Sequence, residues 1–129
     1  MQVSKATENY LETILILTRM QEGVHAADIC SYLGYSRPTV SVVLKQMKEA
    51  GLVTVDEMNH ITLTEEGRQI AEQIYERHNV IAEMLVRLGV SEQTAHDDAC
   101  KIEHEISEES FRCLKTHFDA FLSDEKVRQ

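Results

Sequence analysis

The chain has 129 residues, of which 43% are hydrophobic and 27% are charged, a composition typical of a globular protein. This length accommodates one or two small domains, and no apolar stretch is long enough to span a membrane. The first residues lack an apolar signal core, so we expect a cytoplasmic protein. Three widely spaced cysteines predict reduced thiols, and the absence of a Gly-rich phosphate-binding motif makes nucleotide chemistry unexpected.

The net charge of −9 is distributed unevenly along the chain. Residues 1–70 contain 6 basic and 9 acidic residues, whereas residues 71–129 contain 7 basic and 13 acidic residues. Because an acidic surface repels nucleic acid, any DNA-binding surface is expected to be local and to lie in residues 1–70. The more acidic second part suits the binding of a cation.

The first part of the chain has the hydrophobic periodicity of three helices followed by a β-hairpin. The predicted elements are helices over 4–21, 25–33 and 37–49 and strands over 52–55 and 60–64. Ser36 is placed to cap the third helix, and Pro38 is tolerated in its first turn. This order predicts a helix–turn–helix with a wing.

The second part is predicted to be entirely helical. The predicted helices cover 65–88, 91–106 and 107–122, and we expect the polar tail after them to fray. The apolar stripe of the first of these consists of Ile70, Ile74, His78, Ile81, Leu85 and Leu88. We therefore predict a mainly α fold, with a winged helix–turn–helix domain over 1–70 followed by an all-helical domain over 71–129.

A row of apolar side chains on the sixth predicted helix indicates self-association. The row consists of Phe111, Leu114, Phe118 and Phe121. So large an apolar surface on a small domain favours a homodimer interface. The alternative is that the row only closes the core of one protomer.

The third helix has the composition of a DNA recognition helix. Residues 36–48 contain no acidic side chain and carry three positive charges. The outward positions are Arg37, Thr39, Ser41, Lys45 and Lys48. In a helix–turn–helix protein, such side chains contact base edges and phosphates in the major groove. The alternative is a solvated face of a generic three-helix core.

The predicted fifth helix carries a cluster of potential metal ligands. Its core stripe consists of Ala95, Ala99, Ile102 and Ile106. Beside this stripe lie His96, Cys100 and Glu103, followed by His104. Nitrogen, thiolate and carboxylate donors together suit a first-row transition metal better than Ca²⁺ or Mg²⁺.

One helix cannot surround an ion, so other helices are expected to contribute ligands. His78 on the long helix is the strongest candidate, and Asn9 and Glu12 lie one turn apart on the first helix. Each residue alone also has an ordinary explanation as a buried histidine, a small apolar cysteine or a solvated carboxylate. The combination, and not any single residue, predicts the site.

In this order, the segments resemble the diphtheria-toxin-repressor family of metal-dependent transcriptional regulators over nearly the whole chain. The resemblance is carried by TENYLETI, SRPTVSVVLKQMKEAGLV, ITLTEEGRQIA, ERHNVIAEML and HDDACKIEHEIS. It is a resemblance to the short, two-domain members, which lack the SH3-like C-terminal domain of the iron-type members.

The resemblance implies a dimeric winged-helix regulator, a repressor in metal homeostasis, that binds a palindromic double-stranded DNA operator when a divalent metal is present. In such a protein the metal joins the first helix to the dimerisation domain. The implied metal ligands are Asn9, Glu12, His78, Cys100, Glu103 and His104, with His96 as an ancillary ligand. The implied DNA contacts are Ser36, Arg37, Pro38, Thr39 and Ser41. The implied cofactor is Fe²⁺ or Mn²⁺.

Three positions differ from the pattern of the manganese-type members. Asn9 stands where the manganese-type members have aspartate, Cys100 matches the iron-type members, and Ala82 stands where both types usually have glutamate. Because carboxylates are replaced and a thiolate is present, Fe²⁺, Co²⁺ or Zn²⁺ is favoured over Mn²⁺.

Two other functions stay open on the sequence. A winged-helix regulator without metal would sense an organic ligand or an oxidant through Cys100 or Cys113. A small metal-dependent enzyme would use Glu103 as a base beside an ion. Because no HExxH motif is present and the recognition-like helix would have no purpose in an enzyme, we expect neither catalysis nor a small organic substrate.

Overall fold

The computed structural model describes residues 3–128, with side chains described through residue 124. Within this range the chain forms six helices and one two-stranded antiparallel sheet. In chain order these elements are α1 (Lys5–Met20), α2 (Ala26–Leu33), α3 (Arg37–Glu49), β1 (Val53–Val55), β2 (Ile61–Leu63), α4 (Glu65–Arg87), α5 (Glu92–Ile102) and α6 (Glu108–Arg128). The fold is divided into two compact units, the first ending at Tyr75 and the second beginning at Glu76.

The core of the first unit is formed by the apolar faces that the periodicity predicts. The buried side chains from α1, α2 and α3 are Tyr10, Leu11, Ile14, Leu15, Leu17, Ile29, Val40, Leu44 and Met47. Burial of each large aliphatic side chain contributes roughly 1.5–3 kcal/mol to folding. The opposite face of α3 is thereby turned to solvent.

Local hydrogen bonds define the helix–turn–helix. Gly34 ends α2 with a left-handed backbone (φ +73°), which glycine adopts without steric cost. Two residues later, the Ser36 hydroxyl accepts a hydrogen bond from the Thr39 backbone N–H at 3.4 Å and caps α3. The predicted cap is confirmed, and α3 begins with Arg37 and Pro38 in its first turn.

The hairpin pairs Val53 with Leu63 and Val55 with Ile61. The Ile61 backbone N–H also donates to the Val24 carbonyl oxygen at 2.7 Å, which attaches the wing to the segment before α2. At the start of α4 the Thr64 hydroxyl accepts from the Gly67 N–H at 3.1 Å, as a helix cap does.

The second unit is built from the rest of α4 with α5 and α6. Its core contains Ile81, Ala82, Ala99 and Phe111, all buried. Alanine at positions 82 and 99 leaves room for close approach of the helices. Among residues 3–128, every helix is too short or too polar to serve as a membrane span.

Several predicted details of the second unit are wrong. The fifth helix ends at Ile102 instead of 106, and Ile102 is 37% exposed instead of buried. The long helix stops at Arg87, and Leu88 after it is 79% exposed instead of buried. The sixth helix continues to Arg128 in place of a frayed tail, and Gln129 lies outside the described residues.

Candidate metal centre and nucleic-acid interface

Among the described side chains of the second unit, Glu103 is the fully buried carboxylate, with a relative exposure of 0%. It follows the last residue of α5, and its backbone N–H still donates to the Ala99 carbonyl oxygen at 2.9 Å. Complete burial of a glutamate is rare and costs several kcal/mol unless a cation or hydrogen bonds compensate its charge.

Two histidines lie against this carboxylate. The His78 Nδ1 atom is 2.9 Å from Glu103 Oε2, and the His104 Nε2 atom is 3.3 Å from Oε1. Oε1 accepts no hydrogen bond of good geometry from the described residues. One oxygen of a buried carboxylate is thus left to a weak contact, which is the arrangement that a bound cation satisfies.

Cys100 completes a set of three different donors. The ligand atoms of Cys100, Glu103 and His104 lie within 4.8 Å of one another, with Cys100 one turn earlier on α5. The thiol side is exposed, whereas the His104 side chain is only 7% exposed. A thiolate, an imidazole and a carboxylate at this separation fit a transition metal and do not fit Ca²⁺ or Mg²⁺.

His96 extends the cluster away from Glu103. Its Nδ1 atom is 2.9 Å from His78 Nε2, and the two rings stack with centroids 5.1 Å apart. The structure therefore brings together five of the seven predicted metal residues, all in the second unit. Asn9 and Glu12 lie on α1 of the first unit, where Asn9 is half-buried and Glu12 is buried, and their role as ligands stays a prediction.

Arg77 is a functional candidate that the sequence interpretation missed. Its Nη1 atom donates to the carbonyl oxygens of Glu103 (3.3 Å) and Ile106 (3.0 Å), and its Nη2 atom is 2.7 Å from Glu108 Oε2. These bonds attach the turn that follows α5 to α4. The available signal was the position of an arginine directly before the candidate ligand His78.

The predicted DNA-binding residues form one exposed surface of the first unit. All seven side chains are exposed, namely Ser36, Arg37, Pro38, Thr39, Ser41, Lys45 and Lys48. A surface cleft of about 440 Å³ beside α3 is lined by Arg37 and Ser41 together with wing residues Val55 and Asn59. Its walls offer one cation and several uncharged polar groups, which are side-chain types that contact phosphates in protein–DNA complexes.

The wing turn is arranged around Asp56. The Asp56 carboxylate accepts hydrogen bonds from the backbone N–H groups of Met58 and His60, both at 2.9 Å, and lies 3.2 Å from the His60 ring. These interactions, with the His60 backbone bond as the largest, lower the pKa of Asp56 from its ordinary value. Asp56 thus stays ionised at neutral pH and holds the backbone of the wing turn.

Together, a helix–turn–helix with an exposed basic helix, a hairpin wing and a helical unit with clustered metal donors define a DNA-binding protein of the metal-responsive class. Two family models match the chain. The iron-dependent repressor N-terminal DNA-binding domain matches residues 2–61, and the iron-dependent repressor metal binding and dimerisation domain matches residues 64–128. The chain belongs to the iron-dependent repressor family, which confirms the resemblance seen in the sequence.

Relatives in this family are transcriptional regulators by name. The chain is 36% identical over 108 residues to the transcriptional regulator MntR of Escherichia coli, covering 84% of this chain and 70% of that protein. It is 38% identical over 111 residues to the iron-dependent repressor IdeR of Mycobacterium tuberculosis, covering 84% of this chain and 47% of that protein.

Solved structures of metal-dependent regulators share the fold. The manganese regulator SloR has a TM-score of 0.78 at 27% identity, over 92% of this chain and 55% of that chain. A manganese-dependent transcriptional repressor in complex with manganese has a TM-score of 0.77 at 28% identity, over 86% and 51%. The chain thus spans little more than half the length of these structures.

Proposed function

We propose that the protein is a metal-dependent transcriptional regulator, a repressor in metal homeostasis, that binds its operator when a divalent transition metal is bound. The observation that carries this proposal is the buried Glu103 carboxylate between His78 and His104, in a chain whose other unit presents an exposed basic helix. Family membership supports the pairing of the two functions.

The proposed ligands in the second unit are His78, Cys100, Glu103 and His104, with His96 as an ancillary ligand. Asn9 and Glu12 are proposed as further ligands on the sequence pattern alone. When bound, the cation would neutralise the negative charges of the Glu103 carboxylate and the Cys100 thiolate. We propose Fe²⁺ or Mn²⁺ as the physiological ion, with Co²⁺ and Zn²⁺ as alternatives that a thiolate ligand favours.

The DNA-binding domain is proposed to comprise residues 1–70, and the dimerisation and metal-binding domain residues 71–129. In a homodimer, two copies of α3 enter successive major grooves of a palindromic site when they lie about 34 Å apart. We propose that the ligand residues bind the ion more tightly in this arrangement than in others. Metal binding then shifts the protein towards it. No catalytic role is proposed for any residue.

The test is a DNA-binding titration with Mn²⁺, Fe²⁺, Co²⁺ and Zn²⁺, each with a chelator control, at one stated salt concentration. We expect the activating metals to tighten operator binding about 5- to 150-fold, the range of typical allosteric coupling. Glu103→Gln keeps the shape of the side chain but removes its charge, so this increase should be lost. Cys100→Ala should shift the order of metal preference towards Mn²⁺.

Glu92→Gln is the matched control, because Glu92 is an exposed carboxylate at the opposite end of α5. A folded Glu103→Gln variant that responds to metal like the wild type would contradict the assigned site. Operator binding that is unchanged by a chelator but altered by peroxide would favour the alternative, an oxidant sensor. Such a sensor would act through Cys100 or Cys113, both of which are exposed thiols.

A further inference from the structure

The turn that carries Glu103 and His104 has little regular structure of its own. Residues 103–105 follow the end of α5, and the chain is bent there by two backbone bonds, from Glu105 and Ile106 to the Ile102 carbonyl oxygen, both at 3.0 Å. The carbonyls at the end of a helix lack intrahelical partners and carry partial negative charge. Such a turn holds two proposed ligands only if something outside it fixes the backbone.

Arg77 makes that connection from α4. Its guanidinium donates to carbonyl oxygens on both sides of the turn, at Glu103 and Ile106, and it is also bonded to the Glu108 carboxylate. The side chain is 14% exposed, and its guanidinium carbon lies 5.5 Å from the centre of the Phe111 ring. The planar fork of arginine suits three acceptors held in different directions.

The charge of Glu108 keeps this arrangement in place. Arg77 is the first cause, and Arg112 the second, of a lowered pKa for the Glu108 carboxyl, which therefore stays ionised at neutral pH. Arg112 Nε lies 2.8 Å from the other Glu108 oxygen. Glu108 is the first residue of α6, so Arg77 contacts both ends of the α5–α6 connection.

Consecutive residues of α4 thus hold the same glutamate at two points. Arg77 binds the Glu103 carbonyl oxygen, and His78 binds the Glu103 carboxylate. The same segment of α4 therefore fixes both the backbone position and the side-chain direction of Glu103. A change of even 1 Å in such a ligand is costly, because metal affinity depends on ligand geometry.

We propose that Arg77 is a positioning residue for the metal centre: it fixes the Glu103–His104 turn in ligand geometry without contacting the ion. This inference rests on the proposed metal site. Loss of the guanidinium leaves the ligands present but their turn unrestrained, so the affinity for metal falls although every ligand atom remains.

The experiment is a Co²⁺ titration of the full chain without DNA, followed by the ligand-field absorption bands of the bound ion. Arg77→Ala is expected to weaken Co²⁺ binding about 10- to 100-fold, the usual effect of removing an outer-shell partner, and to change the shape of the bands. Arg77→Lys keeps the charge but not the fork, so it should remain folded and show an intermediate affinity.

Lys115→Ala is the matched control. Lys115 also pairs an α6 side chain with α4, at 2.6 Å from Glu76, but it does not touch the turn. The Lys115→Ala variant should bind Co²⁺ like the wild type and give the same ligand-field bands. The metal-free thermal unfolding of each variant is measured in parallel, and Arg77→Lys takes the place of Arg77→Ala if the latter does not fold.

The outcomes separate the two proposals. If the wild type gives no ligand-field bands, the metal site itself is wrong, and the role of Arg77 is wrong with it. If the wild type binds Co²⁺ and the folded Arg77 variants bind it equally well with unchanged bands, the positioning role is overturned while the metal site stands. Lower thermal stability with unchanged Co²⁺ binding would show that Arg77 only supports the fold.

Discussion

At the scale of single residues, the second unit combines a buried charge with incomplete hydrogen bonding. Glu103 is fully buried, yet its neighbours are two imidazoles, and the nearest arginine binds its backbone and not its carboxylate. A side chain selected only for stability would be apolar at this position, because the desolvation of a carboxylate is seldom recovered. Burial of this kind is typical of sites that bind a ligand.

Asp56 offers a test of the wing at the same scale. Its lowered pKa means that it contributes to the free energy of unfolding above its unfolded pKa of about 3.9, and that this contribution is lost as the pH falls through the lower folded pKa. We expect an NMR titration of the Asp56 carboxyl carbon to give a midpoint below the ordinary value.

His60→Gln serves as the comparison for Asp56. It removes the ring contact at 3.2 Å but leaves the two backbone N–H donors, so the midpoint should rise only part of the way towards the ordinary value. An Asp56 that titrates at or above its ordinary value in the folded wild type would show that the wing turn does not have this geometry in solution.

At the scale of elements, the first turn of α4 lies directly against Leu52, the residue before β1. Gly67 is buried, and a Cβ atom at this position would overlap the Leu52 carbonyl oxygen. That oxygen accepts the Thr64 N–H at 3.0 Å, so it cannot move without disturbing the start of the helix. The glycine therefore has a packing role and not the conformational role that glycine has in the other turns.

Gly67→Ala tests this contact by the sign of its effect. In an open helix position the substitution stabilises a protein by roughly 0.5–1 kcal/mol, because alanine is the better helix former. Here we expect destabilisation of roughly 1–3 kcal/mol from overpacking, measured by urea unfolding. Gln73→Ala, an exposed position on the same helix, should change the free energy of unfolding by less than about 0.5 kcal/mol. A stabilised Gly67→Ala variant would refute the close contact.

At the scale of the whole molecule, the apolar row on α6 divides into buried and exposed side chains. Phe111 and Phe118 are 5% and 7% exposed and belong to the protomer, whereas Leu114 and Phe121 are 40% and 51% exposed. Phe121 lines a groove of about 220 Å³ together with Leu88 and Met84. The match to a dimerisation domain over residues 64–128 supports the proposal that a second copy of the chain packs on this surface.

We expect Leu88→Ser and Phe121→Ser to shift the protein from dimer to monomer, because each substitution removes an exposed apolar side chain from the proposed interface. The measurement is sedimentation velocity over a range of concentrations. Met20→Ser is the control, because Met20 is 71% exposed in the first unit. Dimers of unchanged affinity in both second-unit variants would place the interface elsewhere.

The sequence by itself determined the elements with strong periodicity. Amphipathic spacing gave α1, α3 and the hairpin close to their observed bounds, because the face that a helix or strand buries is decided by local order along the chain. The metal donors were visible for the same reason, since their spacing places them on neighbouring sides of one helical segment. The acid-free segment 36–48 likewise needed no folded structure to be noticed.

Only the tertiary structure decided where α5 ends and which residues of the second unit are buried. Periodicity continues through residue 106, but the helix stops at Ile102, and Arg77, 25 residues before Ile102, binds carbonyl oxygens of the following turn. Glu103 is fully buried there, whereas Ile102 is 37% exposed although its place on the apolar stripe predicts burial. Interactions between segments distant along the chain leave no periodic signal, so no local pattern could have predicted them.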